Sequence, residues 1–302
     1  MEQSFRSGFV ALAGRPNVGK STLMNALVGE KVSIVSSKPQ TTRNQIRGIL
    51  TRDGVQVVFI DTPGMHKPRN ELGEYMVRAA VGAWRDVDLI LAVLDASEPI
   101  GEGDERLIGQ VGALSTPAIL ALNKIDRIRK EELLALIDRF AALQFIAQII
   151  PVSALTGDGV PLLEREIVSR MPEGPRYFPD DIYTDQPERM LAAELIREKA
   201  LMLLREEIPH GIGVEIFDMG RREEQELVDI HANILCEKAS HKSIIIGKGG
   251  RILGKIGQLA RRELEALLGD RINLQLWVKV RPDWRNSVSW MRELGYDSRD
   301  LQ

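Results

Sequence analysis

The octapeptide Gly14-Arg15-Pro16-Asn17-Val18-Gly19-Lys20-Ser21 has the spacing G-x-x-x-x-G-K-S. Those residue types at that spacing suit a polyphosphate and its metal ion. The glycines let the chain curl so that successive backbone N–H groups point at one phosphate chain. Lys20 reaches the β- and γ-phosphates, and the Ser21 hydroxyl ligates Mg²⁺. Thr22 opens the following helix, whose start adds its positive dipole end. Phe9 to Ala13 reads as a buried strand before the loop, and Thr22 to Val28 as the first turns of a helix after it. An accidental glycine-rich turn has no reason to sit between those two elements.

Further stretches supply the rest of such a site. Val55 to Ile60 is a continuous apolar run, read as a buried strand. It ends at Asp61-Thr62-Pro63-Gly64, where the Asp61 carboxylate suits an outer-shell Mg²⁺ contact and the Gly64 N–H suits a γ-phosphate. Ala118 to Leu122 ends at Asn123-Lys124-Ile125-Asp126. A carboxylate there accepts hydrogen bonds from the guanine N1–H and 2-amino group. Adenine offers neither donor in that arrangement, so Asp126 argues against an ATPase. The Lys124 stem can lie along the purine face. Ile149 to Val152 leads into Ser153-Ala154-Leu155, whose backbone N–H groups suit guanine O6. Residues 30–47 lack an apolar period and carry Ser36-Ser37-Lys38-Pro39-Gln40-Thr41-Thr42-Arg43, which reads as a long exposed loop. A threonine hydroxyl there reaches Mg²⁺ when a γ-phosphate is present, and spacing alone leaves Thr41 and Thr42 equal. Each later motif is weak alone; the set in this order, each after a strand, is specific.

These loops need elements to position them. Leu72 to Trp84 reads as a helix and Val87 to Leu94 as another strand, and strands alternate with helical patterns to the end of this half. The pattern implies a doubly wound, mostly parallel α/β sheet with the site at the strand C-termini. Met171-Pro172-Glu173-Gly174-Pro175 and Phe178-Pro179 punctuate the chain. The division expected is 1–173 for a P-loop domain, 174–187 for a linker and 188–302 for a smaller α+β domain.

The second half has its own motif. Residues 188–207 have helical spacing. Val214 to Asp218 and Leu227 to Cys236 read as strands, with Arg221-Arg222-Glu223-Glu224 as the turn between them. Ile246-Gly247-Lys248-Gly249-Gly250-Arg251 is a G-x-x-G loop leading into an amphipathic helix over 252–268, and Ile272 to Val280 closes the domain as a strand. This is a KH-type RNA loop, which clamps the backbone of about four single-stranded nucleotides. Lys248, Arg251 and, one turn on, Lys255 face phosphate. Gly249 to Ile256 nearly spells a second phosphate loop, but Ile256 has no hydroxyl for Mg²⁺. Trp277, in a strand, reads as core rather than a base-stacking platform, while Trp284 and Trp290 read as anchors of the C-terminal tail.

Composition bounds these readings. The chain has 302 residues, is 44% hydrophobic and carries a net charge of −3. Its overall charge does not point to nucleic acid, but residues 174–237 hold 7 basic and 15 acidic side chains, whereas 238–281 hold 10 basic and 3 acidic. A local basic block of that kind suits RNA. The single cysteine, Cys236, excludes an internal disulfide, fits a reducing cytoplasm and reads as a core thiol. His66, His210, His231 and His241 lie apart, with no metal-ligand spacing. No signal pattern and no bilayer-spanning apolar stretch is present in the sequence.

The motifs G-R-P-N-V-G-K-S, Q-T-T-R, D-T-P-G, N-K-I-D and S-A-L resemble those of Ras-like GTPases, and of the Era family of bacterial GTPases in particular. The likeness extends over the KH loop to the strand Leu276-Trp277-Val278-Lys279-Val280, so it covers essentially the whole chain. It implies a type 2 KH domain and a GTPase converting GTP to GDP and phosphate, with the nucleotide gating RNA binding. It makes Thr42 the Mg²⁺ threonine, beside Ser21 and Asp61. It also implies binding near the 3′ end of small-subunit ribosomal RNA, a role in assembling that subunit, a monomer, and peripheral association with the inner membrane. The rival reading is a nucleotide-gated RNA-binding or RNA-chaperone protein with negligible catalysis. Lys20, Thr42, Gly64 and Asn17 are the candidate catalytic residues. Met65 stands where many GTPases carry a water-orienting glutamine, so basal hydrolysis should be slow. In related GTPases an asparagine at the place of Asn17 helps hold a monovalent cation, here K⁺; equally, Asn17 only shapes the loop.

Overall fold

The computed structural model describes residues 4–36, 38, 40–65, 68–205, 208–222 and 225–301. The expectations for Ser37, Pro39, His66, Glu223, Glu224 and residues 206 and 207 lie outside the described residues.

Six strands form one sheet: β1 (Arg6–Ala13), β2 (Ile46–Arg52), β3 (Val55–Asp61), β4 (Leu89–Asp95), β5 (Ala118–Asn123) and β6 (Ile146–Pro151). Their order is β2-β3-β1-β4-β5-β6, parallel throughout except for the antiparallel β2–β3 pair. β3 and β4 are buried along their whole length, which is why they read as continuous apolar runs rather than alternating ones. Val10, Leu12, Val57 and Phe59 pack with α1 (Lys20–Val28) and α5 (Val160–Ser169) on one face. Ala11, Ile90, Ala92 and Leu120 pack with α3 (Glu102–Gly112) and α4 (Lys130–Ala141) on the other. Since β1 sits between β3 and β4, the strand order reverses beside it. A crevice therefore opens beyond the strand C-termini, where the phosphate loop lies.

Residues 174–187 lie against this sheet. The Gln56 carboxamide oxygen accepts the N–H groups of Tyr177 and Phe178, both at 2.9 Å, and the Ile49 N–H donates to the Tyr183 carbonyl at 2.8 Å. The segment so covers part of the edge strand β2 and shields its open hydrogen-bonding groups.

The second sheet has the order β7 (Gly213–Arg222), β8 (Leu227–Cys236), β9 (Arg271–Val280). β7 and β8 are antiparallel, and β8 and β9 parallel. The parallel pair demands a crossover, which α7 (Ala239–Ile246) and α8 (Arg251–Leu268) provide. With α6 (Glu188–Leu203) they cover one face of the sheet over a core that includes Ile196, Ile230, Ile234, Ile256, Ala260 and Leu264.

Three expectations need correction. β7 runs on through Arg221 and Arg222, paired with Val228 and Leu227, so these two are strand and not turn; Asp270 and Asp229 hold their guanidinium groups. The 188–207 helix ends at Leu203, where Leu204 turns extended. The G-x-x-G loop joins α7, which includes Ser243 to Ile246, to α8, with β8 before the pair and β9 after it. Trp277 is not core: it is 43% exposed. Strand parity decided this, since β9 turns Ile272 and Val278 to the helices and Trp277 to the opposite face. Cys236 is buried, and burial pushes its thiol pKa up.

The tail carries a short helix, α9 (Val288–Glu293). Trp284, fully buried, donates from its indole to the Gly211 carbonyl at 2.9 Å and joins Met291 and Tyr296 against Leu72, Tyr75 and Met76 of α2 (Glu71–Gly82). The tail thereby packs onto the helix that follows D-T-P-G.

Candidate nucleotide site and RNA groove

The crevice beyond β1, β3 and β5 holds a cavity of about 470 Å³. Pro16, Asn17, Gly19, Lys20, Ser21, Thr22, Thr42, Gly64, Asn123, Lys124, Asp126, Ala154 and Leu155 line it, so loops far apart in sequence meet around one space. Gly14, Val18, Asp61 and Ser153 are buried and, like Arg15, do not line it. Helix α1 starts at Lys20 with no side-chain cap on Gly19, leaving its first N–H groups to face the cavity. Gly19 has φ 99°, and a Cβ there would lie 2.3 Å from the Asn123 amide nitrogen. Only glycine permits that approach. A Cβ on Gly64 would likewise meet the Pro16 backbone at 2.5 Å, which explains how D-T-P-G can close on the phosphate loop.

Asn123 braces the site. Its amide donates to the Val18 carbonyl at 2.8 Å and its oxygen accepts from the Ala154 N–H at 3.0 Å, tying three loops together. The Lys124 ammonium donates to the Asn17 carbonyl at 2.8 Å and pairs with Asp95. The Ser153 hydroxyl donates to Asp126 Oδ1 at 2.6 Å, and thus fixes the carboxylate's rotation. The Arg15 side chain turns away, to Asp104 at 2.6 Å.

A second cluster lies deeper. Asp61 Oδ2 accepts from Ser21 at 2.6 Å, Ser33 at 3.0 Å and Thr42 at 3.3 Å, and the Ser21 and Thr42 hydroxyls are 2.9 Å apart. The geometry separates the two threonines, because Thr41 turns its hydroxyl to the Lys38 carbonyl at 2.6 Å. Asp61 Oδ1 is buried with no hydrogen-bond partner. Burial raises the Asp61 pKa, against the pull of Lys20 and the three hydroxyls. An all-oxygen set with one orphaned carboxylate oxygen fits a hard cation such as Mg²⁺. Lys20 is also buried, and desolvation lowers its pKa to about 8 although Asp61 opposes this. Its ammonium donates to the Gly14 and Arg15 carbonyls at 3.0 and 3.1 Å.

Sequence reasoning missed Ser33, Asp95, Glu98 and Arg127, which adjoin Asp61, adjoin Lys124 or line the cavity. Only Asp95, a carboxylate ending an apolar strand, left a signal that could have been read.

In the second domain the loop between α7 and α8 takes positive φ at Gly247, Gly249 and Gly250. A Cβ on Gly247 would meet Ile252 at 2.7 Å, while nothing lies within 4 Å of one on Gly249 or Gly250. Gly247 therefore packs the turn and the other two leave its tip open. Ile246 packs against the core, and Lys248, Arg251 and Lys255 stand exposed. The loop leads into a groove of about 380 Å³ between α8 and β9, lined by Leu253, Gly254, Gly257, Gln258, Arg261, Leu274 and Leu276. None of these was singled out from sequence as an RNA contact. Two glycines three apart within a helix were the available signal, since helix propensity disfavours both.

Comparisons with known proteins match both halves of the chain. A family model described as 50S ribosome-binding GTPase matches residues 9–124, and one described as KH domain matches residues 207–285. The chain is 53% identical to the GTPase Era of Clostridioides difficile (strain 630), over 98% of this chain and 100% of that one. It is 53% identical to the GTPase Era of Alkaliphilus oremlandii (strain OhILAs), over 97% of this chain and 100% of that one. Its fold matches the crystal structure of a single-residue variant of Aquifex aeolicus Era bound to GDP·AlF4⁻, with TM-score 0.93, 41% identity and coverage of 97% and 100%. The same score and identity, with coverage of 97% and 99%, relate it to Era in complex with MgGDPNP and nucleotides 1506–1542 of 16S ribosomal RNA. With full-length identity of this order added to a P-loop cavity and a KH groove in one chain, the protein belongs to the GTPase Era family: it is a GTPase with a C-terminal KH domain.

Proposed function

We propose that the chain is a switch that binds 16S ribosomal RNA near its 3′ end, hydrolyses GTP in response, and assists assembly of the small ribosomal subunit. The RNA assignment draws on the structural relative that holds nucleotides 1506–1542 of that RNA. The observation that carries the switch is the attachment of both neighbours of Thr42 to the KH side. Arg197 of α6 donates to the Thr41 carbonyl. Arg43, buried, donates to the Ile212 carbonyl at 2.6 Å and lies 5.7 Å from the Trp284 ring centre. A contact made by Thr42 in the GTP state therefore pulls directly on the RNA-binding domain.

In this reading the phosphate-loop amides with Lys20 hold the phosphates, and Asp126, Asn123, Lys124 and the 153–155 loop hold guanine. Ser21 and Thr42, with Asp61 behind them, would hold Mg²⁺, which when bound neutralises charge on the β- and γ-phosphates. The domains run 1–173 and 188–302, joined by 174–187. Among the described residues no helix is long and apolar enough to cross a membrane. Action as a cytoplasmic monomer with peripheral contact to the inner membrane rests on the family resemblance. The test is GTP turnover with and without the 1506–1542 RNA. We expect RNA to raise the rate, and RNA affinity to be higher with a non-hydrolysable GTP analogue than with GDP. If neither changes, the switch reading fails.

Lys20 gives a pH prediction. Its pKa of about 8 describes the nucleotide-free protein, and bound phosphate favours the protonated form. Between the free and bound pKa values, binding takes up a proton, so affinity falls as pH rises through 8. GDP should bind about tenfold more weakly at pH 9 than at pH 7 in a calorimetric titration. An affinity equal at the two pH values would contradict it.

Met65 packs its side chain against the apolar cluster of Trp84, Ile90 and Leu94, so it turns no polar group to the attacking water. Asn17, held at φ 65° in the phosphate loop, is our candidate for a K⁺ ligand. Hydrolysis with RNA present should run about tenfold or more faster in KCl than in NaCl at one ionic strength. Asn17→Ala should remove the difference. Equal wild-type rates in the two salts would reduce Asn17 to a loop-shaping residue.

A further inference from the structure

The KH-domain sheet has an outer face that α6, α7 and α8 do not cover, and three rings meet on it. Phe217 lies 5.5 Å from Trp277 and 5.9 Å from His231, and His231 lies 5.8 Å from Trp277, centre to centre. Phe217 and Trp277 are 46% and 43% exposed. Folding alone gives no reason to gather large rings in water. The backbone is built for it: the register of β7 against β8 shifts between Ile216 and Asp218. That bulge leaves Phe217 at its apex and exposed while Met219 packs against the core.

The chemistry around the rings suits a polyanion. Lys279 sits 5.6 Å over the Phe217 ring. On β9 the positions sharing a face with Trp277 are Arg271, Asn273, Gln275 and Lys279, with no carboxylate among them. The nearby carboxylates on β7 are already engaged: Glu215 accepts from Asn233 at 2.7 Å, and Asp218 faces His231 at 3.0 Å. The surface is also continuous with the KH groove. β9 is an edge strand; Leu274 and Leu276 line the groove on one side of it and Trp277 stands on the other. Two large apolar side chains are too few for the apolar centre of a protein interface, but they suffice for bases stacking on a charged surface.

We propose that this outer face is a second single-stranded RNA contact, on which bases that leave the groove over β9 stack against Trp277 and Phe217 while Lys279 and Arg271 meet phosphates. The proposal rests on the KH groove being an RNA site. Its test uses the full chain with a non-hydrolysable GTP analogue, the 1506–1542 RNA and one fixed salt concentration. Trp277→Ala should weaken binding about fivefold or more, the loss of one stacked base. Trp277→Phe should restore most of it, whereas a merely structural tryptophan would show itself as a lowered melting temperature in both variants. Trimming the RNA from each end should abolish the Trp277→Ala penalty at a defined length, and a photoreactive base at that point should crosslink to the peptide containing residue 277. The Lys248→Asp, Gly249→Asp double variant separates the two failures. If it loses RNA while Trp277→Ala binds every RNA normally, the platform is wrong and the groove stands. If neither variant loses RNA, the groove reading fails and the platform with it. Normal RNA binding by Trp277→Ala, with weakened binding to intact small ribosomal subunits, would make the face a protein contact and overturn the proposal.

Discussion

Asp126→Asn should weaken GTP by about a hundredfold or more, roughly 3 kcal/mol, and admit xanthosine triphosphate in its place. The structure fixes the sense of the change. Ser153 donates to Oδ1 at 2.6 Å, so an asparagine would keep its carbonyl oxygen there and place its NH2 where Oδ2 now lies. That position then donates instead of accepting. Guanine would lose a charge-assisted bond and face donor against donor. Xanthine carries a carbonyl where guanine carries its amino group, and so meets the new donor. A pocket built on buried polar partners rejects a mismatched ligand strongly, because the unpaired groups stay desolvated. Competition between GTP and XTP for a fluorescent nucleotide measures the exchange. Unaltered GTP affinity in the variant would remove Asp126 from base recognition.

The second large effect is expected at the KH loop. Lys248→Asp together with Gly249→Asp should cut RNA affinity at least tenfold at about 0.15 M salt, and should flatten its salt dependence. One change removes a cation and both add a carboxylate where phosphates would lie. Fold should survive, since no atom lies within 4 Å of a Cβ on Gly249, and Asp is among the residues that tolerate its φ of 61°. GDP binding by the same preparation reports on the integrity of the other domain. RNA binding must be measured across a salt series, because phosphate contacts release counterions and a single salt concentration hides the slope. Wild-type affinity and slope in the double variant would sink the loop as an RNA contact.

Much of this molecule was legible in its sequence for a local reason. A phosphate cradle is made by consecutive backbone amides, so G-x-x-x-x-G-K-S contains nearly its whole geometry. Strands buried on both faces are continuous apolar runs, and β3, β4 and β5 are visible as such. Asp61, Asn123 and Ser153 sit at or just beyond strand ends, so a parallel sheet was enough to bring their loops to one edge. The G-x-x-G loop is local in the same sense, since three positive φ values in four residues require glycines.

What the sequence left open depends on contacts between distant segments. Thr41 and Thr42 are equivalent by spacing; only the meeting of β3 with the 30–47 loop brings one hydroxyl to Ser21 and Asp61. The 174–187 segment looks like a bare linker until the edge of β2 is there to receive it. Arg43 reads as an exposed loop residue, yet it is buried because Trp284, far along the chain, forms its floor. Trp277 reads as core from its type, and strand parity puts it in water. By itself, then, the sequence determined the two folds and the places of the phosphate loop, Asp126 and the G-x-x-G loop, because each is written within a few consecutive residues and one strand end. Tertiary structure alone decided which threonine hydroxyl meets Ser21 and Asp61, the fastening of the 30–47 loop to the KH domain and the aromatic outer face, because each arises where two segments remote in sequence pack together.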